Sequence, residues 1–223
     1  MKNDLFYDSV VEDKRETGGY YNEKIEFLIK ETGEHKTVLD VGCNDGFISK
    51  KLLANSNIVY GVDIVKNNLL KAKEAGIKAY YHDIESGRMP FKENMFDVVI
   101  LGDIIEHVFD TDALLKESYR LLKKRGKLIV TTPNVASIGR RLMLLFGVSP
   151  YLEYSPHLTT NGLPSVGHIR YYTQSTLESQ LKVNKFLSIH TIGDKFNIGL
   201  IRSRILGVML PSVSVNLMCV GYK

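Results

Sequence analysis

Four aspartates stand at the ends of apolar runs, Asp40 just inside the end of its run and Asp63, Asp83 and Asp103 just after theirs, and the first lies in the most informative stretch of the chain. The first belongs to Thr37-Val-Leu-Asp-Val-Gly-Cys-Asn-Asp-Gly-Phe47, where an apolar strand (Val38, Leu39, Val41) runs into a turn carrying Gly42 and Gly46. A helix starts at once after the turn. Such a strand–glycine turn–helix unit lets backbone approach a ligand closely and points free helix N–H groups at it. It is a turn suited to a nucleoside-bearing molecule. Proton transfer has separate candidates among the six histidines. His107 follows the fourth apolar run, and His157 and His168 flank a polar segment; His107 and His168 are the base candidates for an acceptor that must lose a proton. A purely structural role stays open for both, and for His107 it would be to order a Glu106-His107 turn and cap the next helix.

These residues need a scaffold, and the hydrophobic periodicity supplies one. Tyr20 to Lys30 reads as an amphipathic helix with Ile25, Leu28 and Ile29 on one face. Strands are expected at 37–41, 57–62, 78–82, 96–101 and 127–131, alternating with helices at 47–54, 65–75 (closed by Gly76) and 111–123 (stopped at Arg125-Gly126). The run Phe96 to Leu101 is almost wholly apolar in its second half, as in a strand buried on both faces. A helix is expected over 134–146, and 147–168 is rich in Gly, Pro, Ser, Tyr and His. That stretch is too long for an ordinary connection and reads as an insertion or lid, spanning about 134–172 with its flanks. Thr173 is a plausible N-cap for a helix to Leu181, and 186–192 and 214–222 read as two terminal strands with no strong helix between them. The alternation implies an α/β fold with a doubly wound, mostly parallel sheet in one domain over 1–223.

Composition narrows the classes. The chain has 223 residues, 44% hydrophobic and 24% charged, as in an ordinary globular protein with a sizeable core. No apolar run reaches membrane-span length, and the polar stretch from Met1 to Lys14 lacks a signal-peptide core, so a cytoplasmic location is expected. Cys43 and Cys219 make neither a disulfide framework nor a metal cluster, and no metal is expected. The net charge of +4 is uneven: residues 136–223 carry +6 and the remainder −2. A basic half can favour an anionic substrate, a membrane surface or RNA, or be a solvated face.

The turn also discriminates between cofactors. A dinucleotide fingerprint needs G-x-G-x-x-G, and from Gly42 the register gives Asn44 and Phe47 instead. What fits is D-x-G-x-x-x-G from Asp40, which resembles motif I of the class I S-adenosylmethionine-dependent methyltransferases, of the small-molecule 11/23 type. Asn44 replaces the usual middle glycine, and Asn tolerates left-handed backbone best after Gly. The resemblance runs from about Val38 to Pro133. It implies a Rossmann-like seven-stranded sheet, parallel except for one antiparallel C-terminal strand, with helices on both faces.

By this resemblance Asp40, Gly42, Asn44 and Gly46 form the cofactor turn, and Asp63 is the ribose-binding acid, a carboxylate able to accept from both hydroxyls. Asp83 and Ile84 resemble the adenine contacts, with Ile64 on the other face of the ring. Leu-Gly-Asp-Ile-Ile-Glu-His-Val (101–108) resembles the motif ending in Glu-His, with the Gly102 carbonyl offered to the methionine ammonium and Asp103 near the methionine moiety. Tyr20 and Tyr21 are placed to close over the methionine carboxylate. The cofactor implied is S-adenosylmethionine, with S-adenosylhomocysteine as product. An N/D-P-P-Y/F motif is absent after strand four, which shifts weight to an oxygen acceptor on a small metabolite, sugar or glycan, and away from nucleic acid. Tyr151, Tyr154, His157 and Tyr171 could form an aromatic wall for it. Arg140-Arg141-Leu-Met-Leu-Leu-Phe146 is basic then apolar, as in a membrane-docking helix or one packed on the sheet. Two other classes stay open: a non-catalytic cofactor-binding scaffold and a nicotinamide dehydrogenase or epimerase. The missing glycines count against the latter. Oligomeric state is not legible.

Overall fold

The computed structural model describes residues 22–151 and 167–223. Seven strands form one sheet: β1 (Thr37–Val41), β2 (Ile58–Asp63), β3 (Lys78–Tyr81), β4 (Phe96–Gly102), β5 (Leu122–Pro133), β6 (Leu187–Gly193) and, after a small hairpin of β7 (Phe196–Ile198) and β8 (Ile201–Ser203), β9 (Asn216–Tyr222). Their order is β3-β2-β1-β4-β5-β9-β6. Only β9 runs against its neighbours, antiparallel to β5 and β6. The expected seven-stranded, mostly parallel sheet is therefore present.

Side chains alternate between the two sheet faces and make two cores. Leu39, Val41, Val99, Leu101, Leu128 and Val130 meet Leu114, Leu115 and Leu121 of α4 (Thr111–Leu121) and Leu177 and Leu181 of α6 (Gln174–Val183). Val38, Val98, Ile100 and Ile129 meet Phe27 and Leu28 of α1 (Asn22–Thr32), Leu52 of α2 (Phe47–Leu53), and Leu69 and Ala72 of α3 (Lys66–Glu74). Each fully buried aliphatic chain contributes about 1.5–3 kcal/mol. Helices therefore cover both faces, as expected.

The chain leaves β1 to one side through β2 and β3, then returns to β4 on β1's other side. The C-terminal ends of β1 and β4 thus flank a switch point, where open α/β sheets bind ligands.

Three segments differ from expectation. Helix α4 ends at Leu121, because fully buried Leu122 turns extended and pairs with Phe96, starting β5 early. Helix α5 spans Ile138–Leu145 and not 134–146. Buried Asn134 holds the preceding turn: its Oδ1 accepts from the Ala136 N–H, and its Nδ2 donates to the carbonyls of Pro211, Ser212 and Ser214. Between β6 and β9 the chain inserts the hairpin, a short helix α7 (Arg204–Met209) and a 3-10 turn. The capping expectations at Thr173 and Gly76 hold. Thr173 and Thr176 form a reciprocal capping box, and Gly76, at φ +92°, follows α3. Residues 152–166 of the expected lid lie outside the described residues, as do Tyr20 and Tyr21.

Candidate active site

The turn after β1 is built by backbone. Gly42 lies at φ +75° and donates to the Val62 carbonyl at 2.8 Å, bringing β1 and β2 together at their C-terminal ends. A Cβ at Gly42 would stand 2.8 Å from Ile104 Cδ1. Gly46, at φ +82°, precedes α2 directly, and a Cβ there would meet Ile77 Cδ1 at 2.3 Å. Asn44 adopts φ +49°, the left-handed backbone expected of it, and its Oδ1 accepts from the Asp45 N–H at 2.7 Å.

The four aspartates take distinct roles. Asp40 is buried, and its Oδ2 accepts from Ser49 Oγ of α2 at 2.5 Å, which ties strand to helix. Burial pushes its carboxyl up to about 6, opposed by the Ser49 bond and reinforced by Asp63. Asp63 ends β2 and faces the turn: Oδ2 accepts from the Asn44 N–H and Oδ1 from the Val65 N–H, each at 2.8 Å. Burial raises this carboxyl too, against the backbone donors at Val65, Asn44 and Ile64. Asp83 follows β3 and caps a 3-10 turn (Ile84–Ser86), accepting from the Glu85 N–H at 2.9 Å. Ile84 packs against the α4-side core, partly buried.

Asp103 follows Gly102 at the end of β4 and occupies φ +52°, a strained position for a non-glycine residue. Thr131 Oγ1 donates to its Oδ1 at 2.7 Å, and Lys24 Nζ of α1 forms an ion pair with Oδ2. Burial alone would raise this carboxyl, but the Lys24 charge and the hydrogen bonds outweigh it and hold it below the usual range. Lys24 is a partner that sequence reading missed. Its only signal is a lysine beside Ile25 and Leu28 in an apolar stripe.

The two candidate histidines meet. Their ring centroids are 4.8 Å apart, and His107 Nδ1 lies 3.2 Å from the Gly167 carbonyl. Glu106, only 2% exposed, joins the two segments. Its carbonyl accepts from the N–H groups of Ile169 and Arg170, both at 3.0 Å. Thr132 Oγ1 donates to its Oε2 at 3.1 Å, while Oε1 has no hydrogen-bond partner and lies 3.9 Å from His168 Nε2. Burial, then the neighbouring Asp103 charge, pushes the Glu106 carboxyl up to about 8. Asp110, not His107, caps α4. The donor atoms of Glu106, His107 and His168 all lie within 4.8 Å of one another. Residue spacing carries no sign of this three-donor group, and no metal set was expected.

Beside His168, Tyr171 donates its hydroxyl to the His168 carbonyl at 3.4 Å, and its ring is 4.4 Å from that of Tyr151. Tyr154 and His157 of the expected aromatic wall lie outside the described residues. A cleft of about 650 Å³ opens between Phe109, Asp112, Arg170, Tyr171, Tyr172 and Gln180, lined by none of the cofactor candidates. The Tyr-x-x-x-Lys spacing of some nicotinamide enzymes occurs at Tyr20–Lys24, whose tyrosine is outside the described residues, and at Tyr119–Lys123. The second is no dyad of this site: Tyr119 packs edge-on to Phe186, and Lys123 pairs with Asp97 at the opposite end of β4.

The donor set suits an adenosyl amino acid. Acceptor-only carboxylates stand at Asp63 and Asp83 for hydroxyls and an amine, Gly42 and Gly46 let the turn adopt left-handed backbone beside them, and Lys24–Asp103 offers both signs of charge. A family model described as a methyltransferase domain matches residues 39–130. A ubiquinone biosynthesis O-methyltransferase from Pelagibacter ubique is 36% identical over 123 residues, covering 53% of this chain and 50% of that protein. One from Bartonella quintana is 26% identical over 168 residues, covering 74% and 65%. The chain spans about half the length of the curated relatives it matches. Among solved structures, an S-adenosylmethionine-dependent methyltransferase from Thermotoga maritima superposes with TM-score 0.66 at 19% identity, over 91% of this chain and 89% of that one. One from Mesorhizobium loti gives 0.63 at 17%, over 92% and 99%. These likenesses show the fold. Among the described residues no helix is long and apolar enough to cross a membrane.

Proposed function

From a class I S-adenosylmethionine-dependent methyltransferase fold whose residues 39–130 carry the methyltransferase family's domain, with S-adenosylmethionine the cofactor that family and fold imply, we propose that this protein methylates a hydroxyl oxygen of a small, ring-bearing molecule. The observation that carries the reading is the Asp63 carboxylate, fixed by the Asn44 and Val65 N–H groups against the Gly42–Gly46 turn.

The bound cofactor supplies a methyl group on a sulfonium, an electrophile whose leaving group needs no protonation. The chain's own residues position the partners and handle one proton. Asp63 accepts from the ribose hydroxyls. Asp83 accepts from the adenine amine, and Ile64 and Ile84 cover the ring. The Gly102 carbonyl and Asp103 take the methionine ammonium, and Lys24, paired with Asp103, adds the positive charge that a carboxylate needs. His168 takes the acceptor's hydroxyl proton at a ring nitrogen, with Glu106 behind it at 3.9 Å, and His107 is the neighbouring alternative.

Support for a ring acceptor, phenolic before sugar, comes from the Tyr151–Tyr171 pair beside His168 and from the relatives, which are ubiquinone biosynthesis O-methyltransferases. Calorimetric titration with S-adenosylmethionine, S-adenosylhomocysteine and NAD, on wild type and Asp63→Ala, tests the first half. Binding of the first two, lost in the variant, is expected; preference for NAD overturns the reading. A radiolabelled methyl screen of phenols and sugars then tests the acceptor.

A further inference from the structure

We propose that α5, the β7–β8 hairpin and α7 together dock this protein on an anionic lipid bilayer. More than half of the large apolar side chains exposed among the described residues fall in two short segments, 144–148 and 200–210. Leu145, Phe146, Leu200, Ile205 and Met209 are each at least 70% exposed. A protein of this size rarely leaves so concentrated an apolar patch in water without a partner.

The two segments are one feature. Helix α5 packs on β7, and α7 packs on β7 and β6. No residue of α5 is buried, and the one buried residue of α7 is Gly207, where a Cβ would come within 2.4 Å of Lys195 Cα. Glycine thus seats α7 by its backbone and leaves its apolar side chains facing outward. This inverts the usual amphipathic arrangement, in which the apolar face is turned to the core.

Charge selects the occupant. Residues 134–152 and 195–223 contain no Asp or Glu, yet they hold Arg140, Arg141, Lys195, Arg202 and Arg204. Arg141 donates to the carbonyls of Ala136 and Ser212, and Arg204 pairs with Glu26 of α1 at 2.7 Å, so both guanidinium groups are fixed beside the patch. An apolar face whose own segments carry cations and no acids, with Glu26 the acid that pairs Arg204 at its side, matches the interfacial region of an anionic leaflet. A second copy of the same face would bring these cations together across a two-fold axis, which disfavours self-association.

The patch also has a defined place. Helix α5 follows the C-terminal end of β5, and the hairpin follows the C-terminal end of β6, which runs parallel to β5. It therefore lies along the same sheet edge as the Gly42 turn, Asp63 and Asp103. Docking there turns that edge towards the bilayer, whatever the acceptor is.

Co-sedimentation with phosphatidylcholine vesicles, with and without an equal share of phosphatidylglycerol, at low and at 0.5 M salt, tests this. Wild type is expected to pellet with the anionic vesicles and to be released by salt. Leu145→Ser/Phe146→Ser and Ile205→Ser/Met209→Ser should each weaken binding about tenfold or more, while S-adenosylhomocysteine affinity and the denaturation midpoint stay at wild-type values. Absence of sedimentation with anionic vesicles, or unchanged binding by both pairs of substitutions, overturns the proposal. So does light scattering that shows a dimer dissolved by the same substitutions, since a second copy would then cover the face.

Discussion

Lys24 of α1 forms an ion pair with Asp103 at the end of β4, 79 residues further on. The pair fastens α1 over the C-terminal edge of the sheet. It also holds a non-glycine residue at φ +52° beside the cofactor turn.

Lys24→Met leaves Asp103 without its cation. The carboxylate is about a third exposed, so water softens the loss, and about 1–3 kcal/mol of stability should disappear in urea denaturation at pH 7. The Asp103 carboxyl is held below its ordinary value when folded, so its contribution is present at neutral pH and is lost as pH falls through the folded pKa. Below that point wild type and Lys24→Met should converge.

Glu106 gives the opposite sign. Its folded pKa of about 8 lies above the unfolded value of about 4.3, so between these the native state holds more protons and stability falls as pH rises. Asp40, at about 6, adds a fall of the same sign over a lower window. Glu106→Gln should flatten the decline between about pH 5 and 8, measured as urea midpoints at both ends. A decline as steep as in wild type would place the cause elsewhere.

The cofactor turn should accept one change and refuse another. Asn44→Gly keeps a backbone at φ +49° and should cost under about 1 kcal/mol. Gly46→Ala forces a Cβ into φ +82° and against Ile77, with the Ala72 backbone at 3.2 Å. It should cost about 2–4 kcal/mol and weaken S-adenosylhomocysteine binding, both read by thermal shift with and without ligand.

Once an acceptor is in hand, His168→Gln should lower kcat by about 100-fold with little change in KM, and remove the acidic limb of the pH–rate profile. His107→Gln, whose Nδ1 is engaged with the Gly167 carbonyl, should have the smaller effect. A reversed order would assign the proton transfer to His107.

Much of the scaffold was legible because buried strands are short, apolar and β-branched. Val38–Val41, the run to Val62 and Phe96–Leu101 announce themselves, and Asp40, inside the end of the first, and Asp63, just after the second, are located by them. The left-handed Asn44 was equally readable from its residue type. Lys24 was not, because a lysine in a helix ordinarily faces water, and only the fold puts an aspartate over it. Nor was the Glu106–His168 approach, since the Glu106 carbonyl draws in Ile169 and Arg170 across a long connection. The pieces between β6 and β9 are too short to show a period, and Tyr119–Lys123 has the spacing of a redox dyad but straddles the end of α4 and the start of β5, away from the site.

The position of β9 bears on how the chain is made. It is the last of the seven sheet strands to leave the ribosome, yet it belongs between β5 and β6, both synthesised earlier. Until residues 216–222 emerge, a nascent chain has two open edges and nothing to join them. Leu217, Met218, Cys219 and Val220 then close both cores at one stroke. Translation arrest or proteolysis just before Asn216 would accordingly yield a species that holds the cofactor turn but exposes two sticky strand edges, a substrate for chaperones and not a working half-enzyme.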